Sequence, residues 1–235
     1  MAGHDEFNCT VTNWEYIYGL TRDVANAVRE AEFEPDVIVA LARGGWFAGR
    51  CLCDFLALSD LTSLKVEHYV GTAVASGEAE IKYPMPDGSV AGKDVLVVDD
   101  IIDTGESLRR AEAYVRDRDP AAVRTATLQQ AGESAVTPDF VGEYLAEWTW
   151  VVYPWNFIED MCDLVESATS DADAEWFTPD DVGRLLAERH GIDRIEREVA
   201  QPGRLDEVLT EMERRDLIER DGERLRPAGA SADEA

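Results

Sequence analysis

The chain has 235 residues, 45% of them hydrophobic, with six Trp, seven Tyr and seven Phe. That is enough to bury a self-sufficient core, and it excludes wholesale disorder, a collagen-like repeat and a mini-protein. Twenty-two basic residues face 49 acidic ones, a formal charge of −27, and this field repels polyanions, so any phosphate-bearing ligand must be held by local groups.

In chain order, Thr12 and Glu15 have the spacing of a capping box, and Trp14, Ile17, Leu20, Val24 and Val28 fall on one helical face that ends near Phe33. Residues 37–42 are nearly all apolar, as in a strand covered on both faces, and run into Arg43-Gly44-Gly45. Phe47, Cys51, Leu52, Phe55 and Leu56 give helical spacing, and residues 63–70 alternate like a strand. Residues 71–92, rich in Gly, Pro, Ser and charge, read as a mobile loop. A buried strand at 95–98, a helix at 107–115 and a strand at 123–128 follow, then two short aromatic strands at 140–145 and 148–152 and a helix to about Val165. Residues 167–174 have the composition of a linker. Thr178-Pro179-Asp180-Asp181 is a helix start, residues 205–215 form another periodic helix, and residues 217–225 read as a hairpin on an Asp-Gly turn.

Strands alternating with helices predict an α/β fold, a central parallel sheet flanked by helices. The helix, helix, hairpin order at the end predicts a small winged-helix-like appendage, so the expected division is 1–168 and 169–235. No basic stretch leads into an apolar run at the N-terminus, and no segment reaches the roughly 18 apolar residues of a membrane span. The expectation is a cytoplasmic protein without a membrane partner. Cys9, Cys51, Cys53 and Cys162 lack metal-ligand spacing and read as reduced, buried thiols.

The densest chemical signal is Val95-Leu96-Val97-Val98-Asp99-Asp100-Ile101-Ile102-Asp103-Thr104-Gly105-Glu106-Ser107. A buried strand delivers two carboxylates to the sheet's C-terminal edge, where open α/β sheets bind ligands, and Thr-Gly-x-Ser then opens a helix. Amides at a helix N-terminus with two hydroxyls beside them form a phosphate cup that needs no lysine. The carboxylates would repel the same phosphate unless they face ribose hydroxyls or Mg²⁺. A sugar phosphate suits both halves.

This stretch resembles the phosphoribosyl-diphosphate signature of the type I phosphoribosyltransferases, and Ala42-Arg43-Gly44-Gly45 looks like that family's pyrophosphate loop. Trp148-Thr149-Trp150-Val151-Val152-Tyr153-Pro154-Trp155 is similar to the hood segment of the 6-oxopurine members, particularly the microbial xanthine-guanine type, and places the hood mainly at 139–165. The resemblance implies a Mg²⁺-dependent purine phosphoribosyltransferase of purine salvage, active as a homodimer or higher homo-oligomer. It implies phosphoribosyl diphosphate on Arg43, Gly44, Asp99, Asp100, Asp103, Thr104, Gly105, Glu106 and Ser107, with Asp99 and Asp100 toward the metal and Asp103 as general base. The purine would stack on Trp150 and meet the Val151 backbone. Where these relatives commonly carry a lysine for the 6-oxo group, the register puts Gln130, whose amide can donate to a 6-oxo or accept from a 6-amino group, so the base stays open. The resemblance also implies a mobile flap over 71–92, with Lys65, His68 and Tyr69 near pyrophosphate at its base.

A pyrimidine acceptor such as orotate is the nearer alternative, disfavoured because the aromatic segment 148–155 looks purine-like, and two rivals of other classes stand beside this reading. A phosphoribosyl-fold regulator would use the tail on DNA, but residues 171–235 hold ten arginines against nineteen acids, the wrong sign for phosphate-driven binding, so nucleic acid is disfavoured. A dinucleotide-dependent oxidoreductase fails because no Gly-x-Gly-x-x-Gly follows a strand. Finally, only Lys65, Lys82 and Lys93 among the basic residues are lysine, and such an acidic, lysine-poor surface resembles that of proteins working in multi-molar salt, where the Debye length is about 3 Å or less. Partial unfolding is expected in dilute buffer, with a melting temperature that climbs as salt is added; a midpoint indifferent to salt would contradict this.

Overall fold

A computed structural model describes residues 7–68, 79–132, 134, 136–170, 172 and 174–228. The elements begin with β1 (Cys9–Val11), α1 (Trp14–Glu30), β2 (Val37–Ala42), α2 (Gly45–Leu56), β3 (Leu61–His68) and β4 (Ala79–Tyr83). Then come β5 (Asp94–Ile102), α3 (Glu106–Arg116), β6 (Ala122–Ala131), β7 (Phe140–Leu145) and β8 (Trp150–Val152). The chain continues through α4 (Phe157–Ser170), α5 (Pro179–His190), α6 (Arg194–Ala200), α7 (Leu205–Arg214), β9 (Ile218–Asp221) and β10 (Arg224–Pro227). Two compact units result, one of residues 15–148 and one of residues 1–14 with 149–235.

The first unit is a six-stranded sheet in the order β4-β3-β2-β5-β6-β7, parallel except for β4, which runs antiparallel to β3. Val37, Val39, Leu41, Val95 and Val97 form one buried core with Leu108, Ala111 and Val115 of α3. Alternate residues Ile38, Ala40, Leu96 and Val98 are also fully buried, and α2 packs on β2 and β5. Burial on both faces is what the unbroken apolar runs predict, and it confines polar chemistry to the strand ends. From β2 the chain first builds outward to β3 and β4, then returns to β5 on the other side of β2. The winding direction therefore reverses between β2 and β5, the arrangement that in open α/β sheets leaves a crevice outside the C-terminal ends of the two strands.

The expected mobile loop is partly ordered structure. Residues 69–78, with Tyr69, lie outside the described residues, but β4 pairs with β3, and Met85 and Val90 are buried in the core under α3. The expected capping box at Thr12 is absent: α1 starts at Trp14, and the buried Thr12 hydroxyl donates instead to the Val152 carbonyl at 3.0 Å.

The second unit joins both ends of the chain. Strand β1 pairs in parallel with β8, and Cys9, Val11 and Val152 share a core with Met161 and Val165 of α4, Leu186 of α5, Leu209 of α7 and Leu225 of β10. Helix α4 runs through Ser170, into the stretch whose composition reads as a linker, and the boundary expected at 168/169 falls inside this unit. Thr178 caps α5 in a reciprocal capping box with Asp181. A third helix, α6, stands between the two expected ones, and β9 and β10 pair as the expected hairpin, turning through Gly222 (φ 62°) and Glu223. Phe177 bridges antiparallel to Leu225 at the hairpin's edge. Among the described residues no helix is long and apolar enough to cross a membrane.

Candidate active site

Four fully buried residues, 95–98, carry β5 to Asp99 and Asp100 beside the crevice. The loop after β2 packs closely against them: a Cβ built on Gly44 would stand 1.7 Å from Asp100 Oδ2, and one on Gly45 would stand 2.8 Å from the Val98 carbonyl oxygen and 3.0 Å from Asp99 Cα. Only glycine permits that approach. Exposed Arg43 precedes them, joined to Ala42 by a cis peptide, and α2 opens with the Trp46 N–H donating to the Arg43 carbonyl at 3.3 Å.

The two acids are organised by their own backbone. The Asp100 N–H donates to Asp99 Oδ1 at 3.0 Å, and the Ile101 N–H donates to Asp100 Oδ1 at 3.1 Å. Burial, and then the neighbouring Asp100 charge, push the Asp99 carboxyl well above the usual carboxylate range. A cation beside the pair would relieve that strain. Two adjacent carboxylates are the kind of one- or two-ligand set with which proteins hold Mg²⁺ when substrate oxygens and water supply the rest; among the described residues no group of three or more His, Cys, Asp and Glu is placed to hold a metal.

Past β5, exposed Asp103 and Thr104 lead to Gly105, whose φ of 78° is left-handed, and α3 begins at Glu106. A Cβ on Gly105 would meet Ser134 Oγ at 2.5 Å and Val136 Cβ at 2.8 Å, so the segment after β6 lies against this turn. The Glu106 N–H donates to Thr104 Oγ1 at 3.4 Å, and half-buried Glu106 and Ser107 occupy the first turn, at the positive end of the helix dipole. Asp103 faces the Trp148 indole, whose N–H donates to Oδ2 at 3.3 Å. Sequence reasoning gave Trp148 no role; its place in the aromatic run 148–155 was the available signal.

The neighbouring glutamines on β6 differ. Gln129 is buried and donates to Glu143 Oε2 at 2.6 Å and to the Tyr16 hydroxyl at 3.3 Å, while the Tyr16 hydroxyl donates to Glu143. Burial and that carboxylate push the Tyr16 hydroxyl's pKa up. Gln130, beside Ile102 of β5 in the register, has a buried Oε1 without a partner among the described residues. Lys65 is in register with Ala42, next to the Arg43 loop, but its ammonium meets Glu67 at 2.5 Å, and Glu67 also meets Lys82 at 2.6 Å. His68 closes β3.

Arg43, Gly44, Asp99, Asp100 and the run 103–107 thus gather at the C-terminal ends of β2 and β5 and at the start of α3, at the reversal point of one sheet. Trp150 and Val151 belong to the other unit, where β8 pairs Trp150 with Cys9 and Val151 with Thr10; the Trp150 ring is 44% exposed, with its centroid 6.3 Å from that of Phe7, and Val151 is buried.

A parallel sheet with a glycine loop and an acid-Thr-Gly-x-Ser turn at its reversal point defines the class: the phosphoribosyl transferase domain model matches residues 11–158, and the chain belongs to that family. Among similar proteins, the xanthine-guanine phosphoribosyltransferase of Idiomarina loihiensis is 27% identical over 146 residues, which are 61% of this chain and 84% of that protein. The hypoxanthine-guanine phosphoribosyltransferase of Streptococcus pneumoniae R6 is 31% identical over 99 residues, 42% of this chain and about half (52%) of the relative. The crystal structure of a purine phosphoribosyltransferase from Pyrococcus horikoshii Ot3 superposes with a TM-score of 0.55 at 26% identity, covering 63% of this chain and 93% of that one.

Proposed function

We propose that this chain is a purine phosphoribosyltransferase, transferring the phosphoribosyl group of phosphoribosyl diphosphate to a ring nitrogen of a purine and releasing pyrophosphate. The observation that carries the reading is the closure of Gly44 and Gly45 onto Asp99 and Asp100 beside the turn at 103–105, which is exposed at Asp103 and Thr104. It sets an anion-binding loop, two carboxylates and a helix N-terminus around one crevice. The relatives' activities, and the motif resemblance, support the same choice of substrates.

In this reading the amides of Gly105, Glu106 and Ser107, with the hydroxyls of Thr104 and Ser107, hold the 5′-phosphate. Asp99 and Asp100 face the ribose hydroxyls, and Arg43 with the amides of its loop holds pyrophosphate as it leaves. Mg²⁺ suits this carboxylate pair; when bound it would supply charge neutralisation at the leaving group, with Asp99 and Asp100 as its protein ligands. Asp103 stands exposed at the mouth of the turn and accepts the proton that the purine loses as it becomes a nucleophile. The Trp148 indole N–H fixes one of its oxygens. Gln130 presents an amide to the 6-position of the base.

The test is product formation. In multi-molar salt with Mg²⁺ and phosphoribosyl diphosphate, one or more of hypoxanthine, guanine and xanthine is expected to be converted to its 5′-nucleotide with stoichiometric pyrophosphate. Consumption of orotate alone would reassign the acceptor, and no turnover with any base would overturn the reading.

A further inference from the structure

Within the second unit, α5, α6 and α7 line a pocket of about 510 Å³ that is open to solvent on one side, a volume typical of small-molecule sites. Its walls include Gly183, Arg184, Arg194, Arg197 and Glu198. Every lining residue lies at or beyond Pro179, past the 11–158 span that matches the family.

Arg197 is 5% exposed, and its Nε and Nη1 are buried without a hydrogen-bond partner among the described residues. Its guanidinium rests against α5 at Gly183, where an added Cβ would stand 3.4 Å from Nη2 and 3.6 Å from Nη1. A buried cation needs a counter-charge, because burial removes its water without replacing it. Glu198 and Asp193 attract this charge from a distance, but among the described residues neither hydrogen-bonds the guanidinium, and the nearby acids each hold another group. Glu198 accepts the Gly203 N–H at 2.9 Å, Asp193 caps α6 by accepting the Glu196 N–H at 2.8 Å, and Asp181 is held by Thr178 and Arg184. Arg194 adds a second positive charge to the wall. Burial lowers the Arg197 pKa, but a guanidinium stays protonated in proteins, so the charge persists.

We propose that this cavity binds a small metabolite through an oxyanion head, a phosphate or a carboxylate, seated on Arg197 with Arg194 beside it. The volume far exceeds that of a bare ion, so the rest of the molecule occupies the cavity, and Asp180 and Asp206 on its walls supply acceptors for hydroxyl or amino groups. Such a site would share no residue with the crevice of the sheet.

The experiment is hydrogen exchange by mass spectrometry on the full chain, in high chloride at constant ionic strength, with inorganic phosphate or succinate added. Saturating protection of amides in 179–206, about threefold or more when the probe is at twice its Kd, is expected with at least one probe. Arg197→Gln and Arg194→Glu should both abolish it. Arg194 is exposed, so its variant is expected to keep the native melting midpoint without probe. A response to phosphate alone supports a phosphate head, and one to succinate alone a carboxylate head. Protection confined to 100–112 overturns this proposal while leaving the crevice reading intact. Protection at 179–206 that both variants retain, or none with either probe, also overturns it.

Discussion

Asp103→Asn is expected to lower turnover by about 10²-fold or more, the usual scale for a lost acid-base group and about 2.7 kcal/mol of barrier. The melting midpoint should stay close to native. Asp103 is exposed on the turn after β5, its carboxylate accepts the Trp148 indole N–H, and Asn retains an oxygen to accept it. The substitution therefore removes the basic oxygen while preserving shape. Steady-state kcat together with a thermal melt decides the matter: a native kcat removes Asp103 from the chemistry, and a collapsed midpoint assigns it a structural role instead.

Gly45→Ala is expected to damage both folding and activity, with about 1–3 kcal/mol lost to overpacking and kcat/KM reduced by about tenfold or more. The methyl would stand within 3.0 Å of the Val98 carbonyl oxygen and of Asp99 Cα, both backbone atoms that cannot rotate away, so α2 must lift from β5. Gly44→Ala should separate the two effects. There the obstruction is the Asp100 carboxylate, a side chain that can swing aside, so stability is largely kept while that carboxylate leaves its place. Melts and kcat/KM on the pair test this. Gly45→Ala with native stability and native kcat/KM would show that the close approach has no functional weight.

The crevice was legible because its parts are local in sequence. An apolar run ending in Asp99-Asp100, followed by Asp-Thr-Gly-x-Ser, specifies strand, edge and helix start within thirteen residues. The approach of Gly44 to Asp100 was not legible, since it arises from β2 and β5 lying side by side across a long separation in sequence. Short elements escaped for related reasons. Strand β1 is three residues long, β4 alternates over only five within a charged, Gly- and Pro-rich stretch, and α6 leaves Ile195 76% and Val199 73% exposed, so no apolar face announces it. The linker expected at 167–174 followed local polarity, but Ala168 and Thr169 of α4 are buried. Composition describes what a residue tends to meet, and here the tertiary neighbours decided.

The pairing of β1 with β8 has a consequence for how the molecule is made. Cys9 must wait for Trp150, about 140 residues downstream, while residues 15–148 hold all six strands of their own sheet. A chain leaving the ribosome from its N-terminal end can therefore finish the sheet first and recruit its opening strand only when the far end arrives. Until then Cys9 and Val11 are without their parallel neighbour, and a version cut short before residue 150 would carry that orphaned edge permanently.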